Sequence, residues 1–156
     1  MPLRNRSGPY SLPASFGKFT RKGQQMVRPI LVEIAPGELL DKISILEIKA
    51  ENIADISKRA NVLLELEQLS RVRDEHLPTS EKLAGLYVEL KAVNQELWLV
   101  EDNIRVEELN KRFGDRFIEL ARSVYRTNDR RAALKREINL LLKSAIIEEK
   151  SYESYD

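Results

Sequence analysis

Seven apolar residues, Leu83, Leu86, Leu90, Val93, Leu97, Val100 and Ile104, recur at alternating spacings of three and four. A 3.5-residue period keeps one stripe facing a partner helix, so the run predicts a long helix in a bundle or coiled coil, from about Glu81 to Arg112. Upstream, Leu39, Ile43, Leu46, Ala50, Ile53, Ala60 and Leu64 also keep helical spacing, and Leu63, Leu66 and Leu69 widen the stripe. Pro36-Gly37-Glu38 supplies a start, with proline in the first turn and an acid at the positive end of the dipole. No Gly or Pro interrupts 38–77, which predicts one helix to about Arg73; the stripe thins around Ala54–Ser57, where a kink would fall. Pro78 ends this helix, and Thr79 or Ser80 caps the next.

The third helix is predicted from Asp115 to about Lys143. Phe117, Leu120, Ala121, Val124 and Tyr125 open its stripe, and Ala132, Leu134, Ile138, Leu141 and Leu142 resume it after Thr127-Asn128-Asp129. Asn128 either sits inside one helix facing something polar or caps a fresh one. Gly114 is expected to end the second helix in a left-handed conformation and Asp115 to cap the third. Helices of roughly 55, 48 and 43 Å with short connections predict an all-α fold, a long antiparallel three-helix bundle. The β-prone run Arg28–Pro36 and the segment Ala145–Glu148 are expected to meet as a small ribbon or to pack as short extended N- and C-terminal arms. Trp98 and Leu99 lie about 130° from the centre of the apolar stripe, one on each flank, and Val88 also faces away. These three mark an expected interface, covered by the arms or by a second subunit, and a homodimer is expected.

Composition narrows the function. The 156 residues fit one domain, 42% hydrophobic and 33% charged. There is no cysteine and one histidine, His76, so thiolate catalysis, cysteine-ligated zinc and multi-histidine metal sites fall away, and neither metal nor cofactor is expected. No run approaches the ~20 apolar residues of a membrane span, and no apolar stretch of signal-peptide kind opens the chain. A cytoplasmic protein without membrane contact is expected. Charge is unevenly spread: Arg4, Arg6, Lys18, Arg21, Lys22 and Arg28 face no acid in 1–29, leaving 20 basic against 25 acidic residues in 30–156. Residues 1–27 read as a disordered basic tail and 28–156 as a single helical domain. Met26 would serve as an alternative start.

The known all-helical chemistries find little support. Di-iron bundles need two Glu-x-x-His pairs, and helical pyrophosphohydrolases need several paired carboxylate motifs, a set that Glu38 and Asp41 with their Glu-x-x-Asp spacing do not supply. Phosphate-cradling glycine loops are absent, and no Ser or Thr has a recognisable base beside it. Chorismate-mutase-like bundles are only superficially similar. A polar level built from Lys42, Glu47, Lys49, Glu101, Arg105, Arg122, Arg126 and Asn128 offers an anion-binding belt, with exposed salt bridges as the competing reading. Arg130, Arg131, Lys135 and Arg136 form a second basic group. Without interleaved aromatics or a helix-turn-helix it reads as a solvated helix face, and nucleic acid is not an expected partner.

Four segments together resemble an uncharacterised family of small all-helical bacterial proteins: 36–49 (PGELLDKISILEIK), 97–105 (LWLVEDNIR), 128–139 (NDRRAALKREIN) and 148–152 (EEKSY). The resemblance covers about 28–155 and implies an all-helical fold without an established activity. The leading functional expectation is a self-associating interaction or scaffold module that has a protein partner or a second copy. The alternative is a small-molecule-binding protein or enzyme acting on an anionic sugar or nucleotide.

Overall fold

The first predicted helix is two helices in the computed structural model, which describes residues 30–151. The order is α1 (Pro36–Asn52), α2 (Ile56–His76), α3 (Glu81–Leu109) and α4 (Asp115–Leu141), and there is no strand among the described residues. The expected three-helix bundle is therefore corrected to four helices. The expected basic tail 1–27 and the alternative start at Met26 lie outside the described residues. The chain divides into two units, Met1–Val32 and Glu33–Asp156; Ile30–Val32 carry no regular structure, and the helices all belong to the second unit.

Asp55 causes the break after α1. Its side chain accepts from the Lys58 backbone N–H at 2.8 Å and caps α2, while Ile53 leaves helical geometry at φ −83°, ψ 114°. The Ala50 carbonyl, past the last backbone bond of α1, accepts from the Arg59 side chain at 2.9 Å, and the Asn52 side chain adds a bond to Ile48 O at 2.7 Å. Neither glycine nor proline is needed, because Asn and Asp offer the backbone a local alternative to helix. The chain then reverses, and Lys42 on α1 meets Glu65 on α2 at 2.7 Å.

α1 is the hub. It packs against α2, α3 and α4, whereas α2 packs against no other helix. Leu39, Leu40, Ile43, Leu46 and Ile48 of α1 are all buried, each contributing about 1.5–3 kcal/mol. α2 buries none of its residues and leaves Leu63, Leu64 and Val72 exposed. α3 and α4 form a long hairpin, so the layers run α2, α1, then hairpin.

The heptad stripe of α3 records where α1 reaches. Leu83, Leu86, Leu90, Val93 and Leu97 are buried; Val100 and Ile104 are only half-buried. At 17 residues α1 spans about 25 Å, against more than 40 Å for α3. The far end is thus a two-helix layer, closed by an edge-to-face contact of Phe113 and Phe117 with centroids 5.2 Å apart.

Both hairpin helices end in the same motif. After α3, the Lys111 N–H reaches Glu108 O at 3.0 Å and the Arg112 N–H reaches Glu107 O at 2.9 Å; after α4, Lys143 and Ser144 repeat this on Leu140 and Asn139 at 3.2 and 2.9 Å. These are Schellman closures. The left-handed residues are Lys111 (φ 55°) and Lys143 (φ 52°). Gly114, expected in that role, is instead the extended N-cap residue of α4, and Asp115 is the first residue of that helix. Glu107, 3% exposed, fixes the turn by accepting from Arg112 twice at 3.0 Å and pairing with Arg116 at 3.3 Å.

The expected ribbon does not form, since residues 30–35 and 144–151 are neither helix nor strand. The C-terminal arm is held to α4 by Lys135–Glu148 and Arg136–Glu149, both at 3.1 Å. Asn128 lies inside the continuous helix α4.

A lysine in the left-handed region carries a Cβ penalty that glycine lacks. Lys111→Gly and Lys143→Gly are each expected to raise unfolding free energy by about 0.5–1 kcal/mol, read by urea denaturation.

Candidate functional site

The densest polar chemistry sits where α1 crosses the hairpin. Asp41 is 1% exposed, between the apolar Leu40 and Ile43, and a carboxylate there must be paired. Arg131 of α4 supplies a two-pronged clamp, Nε to Oδ1 at 2.8 Å and Nη2 to Oδ2 at 2.5 Å. Asn94 of α3 donates to Asp41 Oδ1 and to Ser44 Oγ, each at 2.8 Å, and Ser44 donates in turn to Asp41 O at 2.8 Å. Each of the three helices gives a residue to this cluster. The bound carboxylate raises the Arg131 pKa above its ordinary value, against the burial that opposes it.

One turn along α4, Lys135 lies between Glu38 at 2.5 Å and Glu148 at 3.1 Å. Burial works against its charged form, but the two carboxylates outweigh this and raise its pKa, while Lys135 holds Glu148 below the usual carboxylate range. A further turn along, Asn139 Oδ1 accepts from the Gly37 N–H at 2.7 Å. Gly37 is required there, because a Cβ would stand 2.5 Å from Lys135 O and 2.9 Å from Asn139 Oδ1. Asp41, Arg131 and Lys135 are fully engaged by protein partners, so the cluster is a pin between helices rather than an open catalytic centre. Within this cluster Asn94 Oδ1 is left buried without a hydrogen bond.

The residues expected to form an anion-binding belt occupy several places. Glu101 and Arg105 pair with each other at 2.7 Å on the α3 surface. Lys42 goes to Glu65, and Glu47 meets Lys91 at 2.9 Å. Arg126 reaches Glu119 at 3.5 Å, and Arg122 is held by Tyr125, which raises its pKa. Lys49 is half-buried in the last turn of α1. Asn128 donates to Val124 O at 3.0 Å and touches the pin, accepting from Arg131 at 3.4 Å.

The second basic group divides between two environments. Arg130 and Arg136 are solvated and pair with Glu96 at 2.8 Å and Glu149, but Arg131 and Lys135 point inward. Reading all four as a solvated face is corrected for these two. Their spacing of four, beside inward-facing Leu134 and Ile138, was the available signal. Among the described residues no group of three His, Asp or Glu could hold a metal, and no helix is long and apolar enough to cross a membrane.

The outward face of α3 carries the expected interface residues. Val88 is 66% exposed and Leu99 54%, with Trp98 half-buried beside them. They belong to a second stripe, Gly85, Val88, Ala92, Gln95, Leu99, Asp102, Val106 and Leu109, again spaced by threes and fours. The first seven members each follow an inner-stripe position by two residues, about 200° around the helix, so the stripe lies opposite the inner one, and Leu109 continues it. Val106 and Leu109 are exposed too, at 49% and 80%. Glu89 and Glu96 flank this stripe on one edge, Lys91 and Arg105 on the other.

Residues 30–155 match the model of a family of unknown function, DUF6165. No curated protein and no solved structure matches the chain.

Removing one partner of a buried ion pair strands the other. Arg131→Ala is expected to cost about 3–5 kcal/mol in chemical denaturation, whereas Arg130→Ala should change stability by less than about 1 kcal/mol. Gly37→Ala forces α1 off α4 and is expected to cost about 1–3 kcal/mol, measured the same way.

Proposed function

The chain belongs to DUF6165, a family of unknown function, and on that footing we propose that it is a helical interaction module pairing with a second copy of itself. The carrying observation is the exposed heptad stripe on α3, opposite the stripe that holds its own fold together. A helix already packed on one side gains from a second apolar seam only when another helix covers it. Gly85 and Ala92 let a partner backbone approach at one end, and Leu99, Val106 and Leu109 supply apolar area at the other. Gln95 and Asp102 interrupt the seam, which weakens it and fixes its register, as polar residues at such positions do. That composition suits reversible association.

The flanking charges select an orientation. In a parallel two-fold pair the acidic edge of one α3 faces the basic edge of the other; in an antiparallel pair like edges meet. The module is therefore read as a parallel dimer about α3, with α1, α2 and α4 on the outside of the seam.

Sedimentation equilibrium from about 1 to 200 μM is expected to give a monomer–dimer equilibrium spanning the μM range. Leu99→Glu with Val106→Glu should yield a monomer of unchanged helicity. A monomer throughout, or a dimer indifferent to that pair of changes, overturns the proposal. Because the chain has no cysteine, Leu109→Cys tests orientation separately: oxidation joins two parallel copies through this position and leaves antiparallel ones unjoined.

A further inference from the structure

We propose that the self-association seam is pH-sensitive: the two Asp102 carboxylates of a pair share one proton, so copies associate more tightly as pH falls. This inference rests on the parallel pairing of α3 proposed above. In a parallel two-fold pair, equivalent seam positions face each other at the same height. Asp102 of one copy therefore meets Asp102 of the other, between the exposed Leu99 and Val106 that precede and follow it in the stripe.

Asp102 brings no compensating partner to that meeting. It is exposed, and among the described residues it takes part in no hydrogen bond or ion pair. The donors beside it on α3 are already taken. Arg105 gives Nη1 to Glu101 O at 2.9 Å and Nη2 to Glu101 Oε2 at 2.7 Å, and the Asn103 side chain donates to Leu99 O at 2.8 Å. Of the helices packed on α3, α1 does not extend to this level, and α4 brings Glu119, Arg122 and Arg126 to it. Arg126 is held by Glu119 at 3.5 Å and Arg122 by Tyr125. Pairing thus confronts Asp102 with a second carboxylate, while Glu101 and Arg105 of the second copy again neutralise each other.

Two like charges at one site do not both stay ionised without cost, and apolar neighbours raise that cost. One shared proton turns the repulsion into a hydrogen bond from carboxyl to carboxylate. A pair of copies then holds one more proton than two separate copies, so association strengthens on acidification and weakens as pH rises. A carboxylate ordinarily titrates near pH ~4, and like-charge pairing carries the first protonation up toward neutrality. The single histidine cannot supply this response, because His76 ends α2, beyond the start of α3 and about 30 Å along that helix from Asp102.

Sedimentation equilibrium at about pH 7.5 and about pH 5, at one ionic strength, measures the dimer Kd. The Kd is expected to fall about tenfold or more at the lower pH, with log Kd following pH at a slope of at most about one, for the single proton taken up. Asp102→Asn should associate more tightly than the unsubstituted chain at the higher pH and change less than about twofold between the two. His76→Gln and Glu89→Gln should keep the full response, and helicity read alongside confirms that each variant is folded. A dimer with equal Kd at the two pH values, or a response that survives Asp102→Asn, overturns this inference and leaves the seam standing. A monomer at both pH values overturns the seam itself, and this inference with it.

Discussion

A carboxylate taken out of water has to be compensated where it lies, and Asp41 is compensated by a guanidinium 90 positions away in sequence. The clamp from Arg131, with Asn94 and Ser44 completing the shell, fixes both the height and the rotation of α1 against the hairpin. The remaining contacts inherit that setting. Lys135 meets Glu38 and Asn139 meets Gly37 because they stand four and eight residues beyond Arg131, on the same face of α4. A buried ion pair of this kind adds little net stability over a well-packed apolar pair. Its effect is to penalise every other placement of α1, since a slipped helix would leave a charge unpaired in the core.

With α1 set in this way, the molecule is arranged around a short central helix, not around its two longest ones. α1 is sandwiched between α2 and the hairpin and buries most of its apolar side chains, with Glu38 and Lys42 left exposed. The hairpin outruns it, and this is why burial along α3 fades past Leu97 although the apolar periodicity continues. Val100 and Ile104 keep heptad spacing beyond the reach of α1, where α4 is the neighbouring helix of α3 among the described residues.

Helix existence was legible in the sequence because periodicity of 3.5 to 3.6 is a local signal carried by many residues. The inner stripe of α3, the proline stop at Pro78 and the Ser80 cap, which accepts from the Leu83 N–H at 3.2 Å, could all be read from neighbours a few positions apart. The break between α1 and α2 was harder to read. The thinning of the stripe around Ala54–Ser57 marks the place as a kink, but the break itself depends on the Asp55 side chain taking the Lys58 N–H, and an Asp does not by itself announce a cap. The ends of α3 and α4 misled for a related reason: lysines occupy the left-handed positions, while the glycine that seemed made for one caps the following helix. The candidate site was the least legible. Asp41 looked like one acid among 25 and Arg131 like one of a basic run. Only their meeting across the fold separates them from solvated neighbours, and that information is not local.

The confinement of α2 to a single neighbour has a consequence of its own. A helix that shares surface with only one other forms a terminal branch of the packing, so stress or sequence change within it has no direct route into the α1–hairpin junction. Its length and outer residues are free to vary as long as Asp55 starts it and the Pro78 turn returns the chain to α3. In native-state exchange such a branch opens as a unit of its own, ahead of global unfolding. The polypeptide thus holds a rigid three-helix frame and a detachable limb under one continuous backbone.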